Sequence, residues 1–546
     1  MEGTQEECGV LLINPPYVTL TSSVGVGHQV PLGLLMVGGA LLQQGTHVRL
    51  LDAECQHLSV ERVVEEVRRW RPRVVMTGHA GSTPAHPVCM RMLAAIKREL
   101  PQVITVYGGV YPTYHAREIL HANPAVDIIV RGEGEATAAA LVKALEDGEA
   151  LENVQGIAFR DAADRVVITA ERAPLEMEDF RIGWELLDDA SPRGWDAYQC
   201  FGLGRAVTVQ FSRGCPHHCT YCGQFGFWMK WRHRDPAKLA EEIEWLCREK
   251  QVRFVTLADE NPTTLKPVWT RFLREVAQRE LPVKFFSTMR ATDIVRDADI
   301  LPLYRQAGIQ YILMGIETPD AETLRRVKKG STTRVDYEAC RLLRENGIYS
   351  VIGHIVGIGQ ERWGRFWQAA KQLAAYDGDY LNAMYVTPHA WTIFAEESAE
   401  RRVVEQELGR WDYRHQVLAE PHMRPWELFL AVKLLELAFH LRPRRVWRLL
   451  SESKFSRQQF CFGVMHTGRV FLGEIAAFVR DRATRRAGGT LAQWFGNAGV
   501  GAQRHEERLV SLRVERRSPP HASKRVSAKR MNRVFRKNRS ELAGMR

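Results

Sequence analysis

Three cysteines within eight residues constrain this chain more than any other feature. Cys215, Cys219 and Cys222 lie in the stretch FSRGCPHHCTYCGQ at a C-x3-C-x2-C spacing. Thiolates so close in sequence converge on one soft metal centre with little backbone strain. Iron–sulfur clusters are held by cysteine thiolates, and a [4Fe-4S] cube takes four. A loop that offers three leaves one iron open to a further ligand. The competing reading is a structural zinc knuckle, with His217, His218 or His233 completing the set. The setting weighs against it. Clustered zinc ligands usually occupy small modules, whereas this loop follows an apolar run, Ala206–Phe211, and precedes a long series of strand and helix patterns.

The rest of the cysteines, seven of ten, are scattered, which fits a reducing compartment rather than a disulfide framework. The start, MEGTQEECGVLLINPPY, has no basic n-region followed by an apolar core and a cleavage site. No apolar run reaches the length that spans a bilayer. These features set the expectation of a cytoplasmic chain. The net charge of +11 is concentrated at one end: from Arg504 to Arg546 there are 14 Lys/Arg and 4 Asp/Glu, a net +10. The body is therefore near neutral, and no nucleic-acid groove is expected in it. The tail, 501–546, has few apolar residues to bury and is predicted to be disordered. Its charge suits contact with anionic lipid or a partner.

Residues 9–145 alternate short apolar runs (Val10–Asn14, Val48–Leu51, Val74–Gly78, Ile104–Gly109, Ile128–Gly132) with helical patterns at 31–44, 60–70 and 87–100. This alternation predicts a doubly wound, Rossmann-like parallel sheet that takes its ligand beyond the carboxyl ends of the strands. Gly78, Ser82, Thr83, Gly108, Gly109 and Thr113 fall at those ends, where glycine lets the backbone approach a bulky ligand. Residues 146–200 are expected to form a connector with a short hairpin near Gly156–Ile168. From 201 to 390 six strand candidates alternate with helices: Ala206–Arg213, Phe254–Asp259, Val283–Ser287, Tyr311–Glu317, Val351–Val356 and Leu381–Val386. They predict a partial (β/α)6 barrel with its working residues at the carboxyl face. At that face Asp259 and Glu260 suit the ammonium of an amino acid, and Arg290 suits a carboxylate. His389 is a candidate proton-transfer group. Residues 391–500 carry aromatic and Leu stripes at 425–441 and 464–479, predicted to form a small helical cap.

The cysteine loop, with Tyr221 before its last cysteine, resembles that of the radical S-adenosylmethionine enzymes. The resemblance implies that Cys215, Cys219 and Cys222 hold a [4Fe-4S] cluster whose open iron chelates S-adenosylmethionine. Cleavage of the sulfonium then yields a 5′-deoxyadenosyl radical. By the same resemblance Tyr221, Asp259, Glu260, Arg290, Glu317, Gly353 and Gly357 surround S-adenosylmethionine. The family's G-x-I-x-G-x-x-E pattern fits Gly353, Ile355 and Gly357 but ends on Gln360, with Glu361 next.

The stretches NPPY, PLGLLMVGGALLQQG, VYGGVYPT and VRGEGEAT resemble the cobalamin-binding domain that often precedes such a core. The D-x-H-x-x-G motif that supplies a histidine to cobalt is absent: Asp52 is followed by Ala53 and Glu54, and His57 has the wrong spacing. The resemblance narrows further. RGCPHHCTYCGQFGFW, TLADENPTT, KGSTTR, GHIVGI, LNAMYVTPH and WDYRHQVLA resemble the anaerobic magnesium-protoporphyrin IX monomethyl ester cyclases. That implies oxygen-independent closure of the isocyclic ring of bacteriochlorophyll on a magnesium tetrapyrrole. It also implies a reduced electron donor such as ferredoxin or flavodoxin. A cobalamin-dependent radical methyltransferase and a non-enzymatic cobalamin or tetrapyrrole sensor are the alternatives.

Overall fold

The computed structural model describes residues 9–19, 27–79, 83–200, 203–224, 226–228, 230–451, 468–480 and 488–497. Ser82, the tail and the first part of the 464–479 stripe lie outside the described residues.

The first sheet grows from apolar runs buried on both faces, the pattern of a parallel sheet covered by helices on either side. Its strands are β1 (Val10–Asn14), β2 (Val48–Asp52), β3 (Val74–Gly78), β4 (Ile104–Gly108), β5 (Ile128–Val130), β6 (Ile157–Arg160) and β7 (Val166–Ile168). They run in the order β2-β1-β3-β4-β5-β6-β7, and the first five are parallel. Strand order reverses between β1 and β3, so the doubly wound switch point falls at Asn14 and Gly78. The hairpin expected near 156–168 is not a free connector. β6 pairs antiparallel with β5 and extends the first sheet, because Ile157, Ala158 and Phe159 are apolar and need cover. The rest of the connector buries Trp184, Leu186, Leu187 and Trp195 in a core shared by both sheets.

The second sheet holds β8 (Arg205–Val209), then β11 (Val252–Leu257), β12 (Lys284–Met289), β13 (Ile309–Glu317), β14 (Tyr349–Val356) and β15 (Tyr380–Tyr385). All neighbours are parallel and in sequence order, an open half-barrel. Between β8 and β11, β9 (Ser212–Arg213) pairs antiparallel with β10 (Arg232–His233). The run read as one strand over 206–213 is thus split, and the small ribbon brackets the cysteine loop. The helix Pro236–Glu249 starts as its sequence predicts, with the Asp235 side chain accepting from the backbone N–H of Ala237 and Lys238.

The helix Pro425–His440 lies against β15 and the helix Trp363–Tyr376, on the flank of the half-barrel. Residues 391–424 cover the strand ends instead. Phe394, Val403, Trp411, Val417 and Leu418 cluster with Val327, Ile358 and Val386, and Tyr221 packs on this group. Among the described residues no helix is long and apolar enough to cross a membrane.

Candidate functional site

The cysteine loop is anchored before its first thiol. Gly214 has φ +89°, and a Cβ there would come within 2.6 Å of the Lys230 carbonyl oxygen, so only glycine suits this turn. Asp259, buried at the end of β11, accepts from the backbone N–H of Phe211 at 3.1 Å and the Ser212 hydroxyl at 2.5 Å. Its carboxyl is pushed up to about 7, by burial first, against the lowering effect of these bonds. Both its oxygens therefore serve the backbone that leads into the loop. Glu260, next along, accepts from Gly214 N–H at 3.2 Å.

Cys219 is buried, and Cys215 and Cys222 are half-buried. Burial pushes the Cys222 thiol up to about 11, and the neighbouring Cys219 and Cys215 add to the rise. Cys215 is raised for the same first reason. Among the described residues no three metal-ligating side chains gather as a site for one ion. The Arg290 guanidinium reaches Cys219 Sγ at 3.9 Å and donates to the Lys329 carbonyl.

The ends of β12 to β14 complete this face. Glu317 closes β13 in the left-handed region, φ +65°, where a non-glycine residue is strained. Its carboxylate accepts from Lys329 Nζ at 2.5 Å and, with burial, holds the nearby Tyr221 phenol well above its usual range. Gly315 makes that pair possible, since a Cβ there would lie 2.3 Å from Glu317 Oε1. Gly353 stands in register between Gly315 and Asn382. The Gly357 N–H donates to Glu361 at 3.0 Å, so the carboxylate one place beyond the family position faces the same turn. Three buried polar atoms along this face, Ser287 Oγ, Arg290 Nε and His354 Nδ1, lack a hydrogen-bond partner among the described residues.

The first domain meets this face through His389. Its Nδ1 is 2.9 Å from Thr83 Oγ1, its Nε2 is 2.8 Å from the Tyr413 hydroxyl, and its ring stacks on Trp391. A Cβ on Gly223, the residue after Cys222, would lie 2.9 Å from this imidazole. Trp391 donates to the Gly223 carbonyl at 2.7 Å and stacks on Tyr114 of the first domain. The other predicted strand-end residues cluster nearby: a Cβ on Gly78 would meet the Gly108 carbonyl oxygen at 2.8 Å, and Gly109 has φ +109°. Thr113 is committed internally, donating to Gly109 O and accepting from Gly132 N–H. In the place of the missing cobalt-ligating histidine, the buried Glu54 carboxylate accepts from Thr19 N–H at 2.8 Å and Thr19 Oγ1 at 2.7 Å.

Burial lowers the His389 imidazole to about 4. Between about pH 4 and 6.5 the unfolded chain carries a proton that the folded chain excludes. Acidification through that window therefore costs stability, by up to about 3 kcal/mol at its lower end. A His389→Asn variant is expected to lose melting temperature less steeply than the wild type as the pH falls from 6.5 toward 4. Parallel curves in thermal melts across that range would contradict this.

Sequence reasoning missed the link between the two halves. Arg213 pairs with Glu133 at 2.6 Å and with Glu135, Arg232 pairs with Glu133 at 2.5 Å, and all four side chains are largely buried. It also gave no role to Lys329 and Tyr413, which lie in the quoted stretches KGSTTR and WDYRHQVLA. Their partners are remote in sequence, so no local spacing signals them.

Two family models match the chain: "B12 binding domain" over residues 18–142 and "Radical SAM superfamily" over residues 209–373. The fold resembles the radical S-adenosylmethionine methyltransferase TsrM from Kitasatospora setae, with TM-score 0.64 and 15% identity, covering 87% of this chain and 100% of that one. Sheet order, cysteine loop and these matches define a radical S-adenosylmethionine protein with an N-terminal B12-binding domain. The chain is 44% identical over 506 residues to the anaerobic magnesium-protoporphyrin IX monomethyl ester cyclase of Synechocystis sp., across 92% of this chain and 99% of that one. It is 31% identical to the cyclase of the same name from Rubrivivax gelatinosus, across 76% and 73%. The chain belongs to this cyclase family.

Proposed function

We propose that this enzyme closes the isocyclic ring of magnesium-protoporphyrin IX monomethyl ester without oxygen, giving divinyl protochlorophyllide. The observation that carries the reading is the extent of the likeness. The match to the Synechocystis cyclase runs through 506 residues, well past the two generic domains. The hopanoid C-3 methylase of Methylococcus capsulatus is 24% identical over 395 residues, which ranks the methyltransferase reading second.

The residues present fit the implied cofactors. Three thiols on one loop suit a cluster with an open iron. The unpartnered Ser287, Arg290 and His354 atoms and the Glu317–Lys329 pair suit a small zwitterion laid along the strand ends. S-adenosylmethionine bound there supplies the hydrogen abstractor that an unactivated C–H requires when oxygen is absent. Cys215, Cys219 and Cys222 hold the cluster. Glu260 and Glu317 would accept from the ammonium of S-adenosylmethionine, and Arg290 would keep positive charge beside Cys219. Asp259 fixes the loop's entry rather than reaching the ligand. Gly78, Gly108 and Gly109 give cobalamin close access to the backbone. His389, expected as a proton-transfer group, has both ring nitrogens engaged by Thr83 and Tyr413, so it holds the seam where the two halves meet rather than reaching substrate. An electron arrives from a reduced donor of the ferredoxin or flavodoxin class. The enzyme works in the cytoplasm, and its basic tail meets anionic lipid.

The test is an anaerobic incubation of the reconstituted protein with S-adenosylmethionine, reductant, cobalamin and the magnesium ester. A product heavier by one oxygen and lighter by four hydrogens, with 5′-deoxyadenosine released, is the expected mass-spectrometric result. Gain of CH2 would instead identify a methyltransferase. An untouched porphyrin beside released 5′-deoxyadenosine would show that the substrate is another compound.

A further inference from the structure

The helix Pro425–His440 is apolar on two opposite sides. Leu428, Ala431, Val432, Leu435 and Phe439 are buried in the main core. On the other side Trp426, Leu430, Leu434, Leu437 and, just past the end, Leu441 repeat at intervals of three and four, and each is at least 40% exposed. Residues at that spacing form one continuous stripe. The following helix, Pro443–Ser451, adds Trp447, 70% exposed. Isolated exposed leucines need no explanation, but an ordered stripe ending in tryptophans does.

We propose that this stripe seats the protein on an anionic lipid surface, with the helix lying in the plane of the interface. Three features select lipid as the occupant. Tryptophans mark both ends of a leucine run, and their rings suit the boundary between acyl chains and headgroups. The exposed Arg424 and Arg444 stand beside those ends, ready to meet headgroup phosphates. The chain beyond residue 497 adds 49 residues that carry, from Arg504 on, a net +10. Apolar burial and basic charge together are the two signals that stable interfacial binding takes. The helix has 16 residues and is too short to span a bilayer, so it lies on the surface.

Flotation of the full-length protein with phosphatidylcholine vesicles, with and without phosphatidylglycerol, tests this. Binding is expected with the anionic vesicles and is expected to fall as salt rises. Leu430→Glu/Leu434→Glu, placed on the exposed face, should weaken it at least about tenfold with an unchanged circular dichroism spectrum. The milder Trp426→Ser should weaken it severalfold. Three results would overturn the proposal. The wild type fails to float with anionic vesicles, or the double variant floats as well as the wild type, which would leave the tail as the whole attachment. In the third, the wild type is a dimer that the double substitution converts to monomer.

Discussion

Cys219→Ala is expected to abolish cluster assembly and to reduce S-adenosylmethionine cleavage to background. Cys219 is the most deeply set of the three thiols, and Arg290 and the Lys328 carbonyl both approach its sulfur, at 3.9 and 3.8 Å. Its loss leaves two thiolates on a loop that already offers one fewer than a closed cube takes. The fold should persist, because the loop's entry is fixed elsewhere, by Asp259 on Phe211 and Ser212 and by the left-handed turn at Gly214. Iron and sulfide analysis after anaerobic reconstitution, with 5′-deoxyadenosine measured alongside, checks both halves of the claim. Arg290→Met gives the graded comparison: the cluster should form, with activity lowered about 10- to 100-fold by loss of the positive partner at the sulfur. A Cys219→Ala protein with full iron and undiminished cleavage would remove the loop from the chemistry. Zinc in place of iron in the wild type would revive the structural-knuckle reading.

Local signals in the sequence carried far where the physics is local. β1 and β3 fall where their apolar runs lie, Asp235 caps its helix, and the cysteine spacing locates the loop. The signal fails where a remote side chain decides. The run 206–213 looks like one strand, yet the Asp259 carboxylate captures the N–H groups of Phe211 and Ser212 and turns the chain into the ribbon that carries the loop. The same capture explains why an acidic residue at a strand end, the expected place for an ammonium acceptor, has both oxygens already engaged. Helical stripes at 425–441 suggested a cap, but amphipathic spacing tells only that a face is buried, not against which element. The cover over the strand ends is the stretch 391–424, whose helix Ile393–Glu397 is too short to show a period. His389 was legible as a histidine at a strand end. Its bond to Thr83, 306 residues away, was not.

The second large effect belongs to the ion network between the halves. Glu133 and Glu135 follow β5 at the start of the helix Glu135–Asp147, and Arg213 ends the ribbon that leads into the cysteine loop. Arg213 is further fixed by Gln210 at 2.9 Å and by the Trp228 ring, 4.9 Å from its guanidinium carbon. Removing one partner of a buried pair strands the other's charge, a cost of about 3–5 kcal/mol. Arg213→Met should therefore lower stability by about that amount in urea unfolding, since Glu135 loses its cation while Glu133 keeps Arg232. Glu135→Gln should cost less, because Arg213 retains Glu133. The double variant Arg213→Met/Glu135→Gln should recover part of the Arg213→Met loss, since no unpaired charge then remains at Glu135. Function should not recover with it: the arginine, two residues before Cys215, also ties the cysteine loop to the start of the helix Glu135–Asp147 in the first domain, so the variants should release cobalamin more readily even where they melt normally. Additive losses in the double-mutant cycle, or full cobalamin retention in Arg213→Met, would show that the halves are held by the Trp391 contact and the shared apolar core instead.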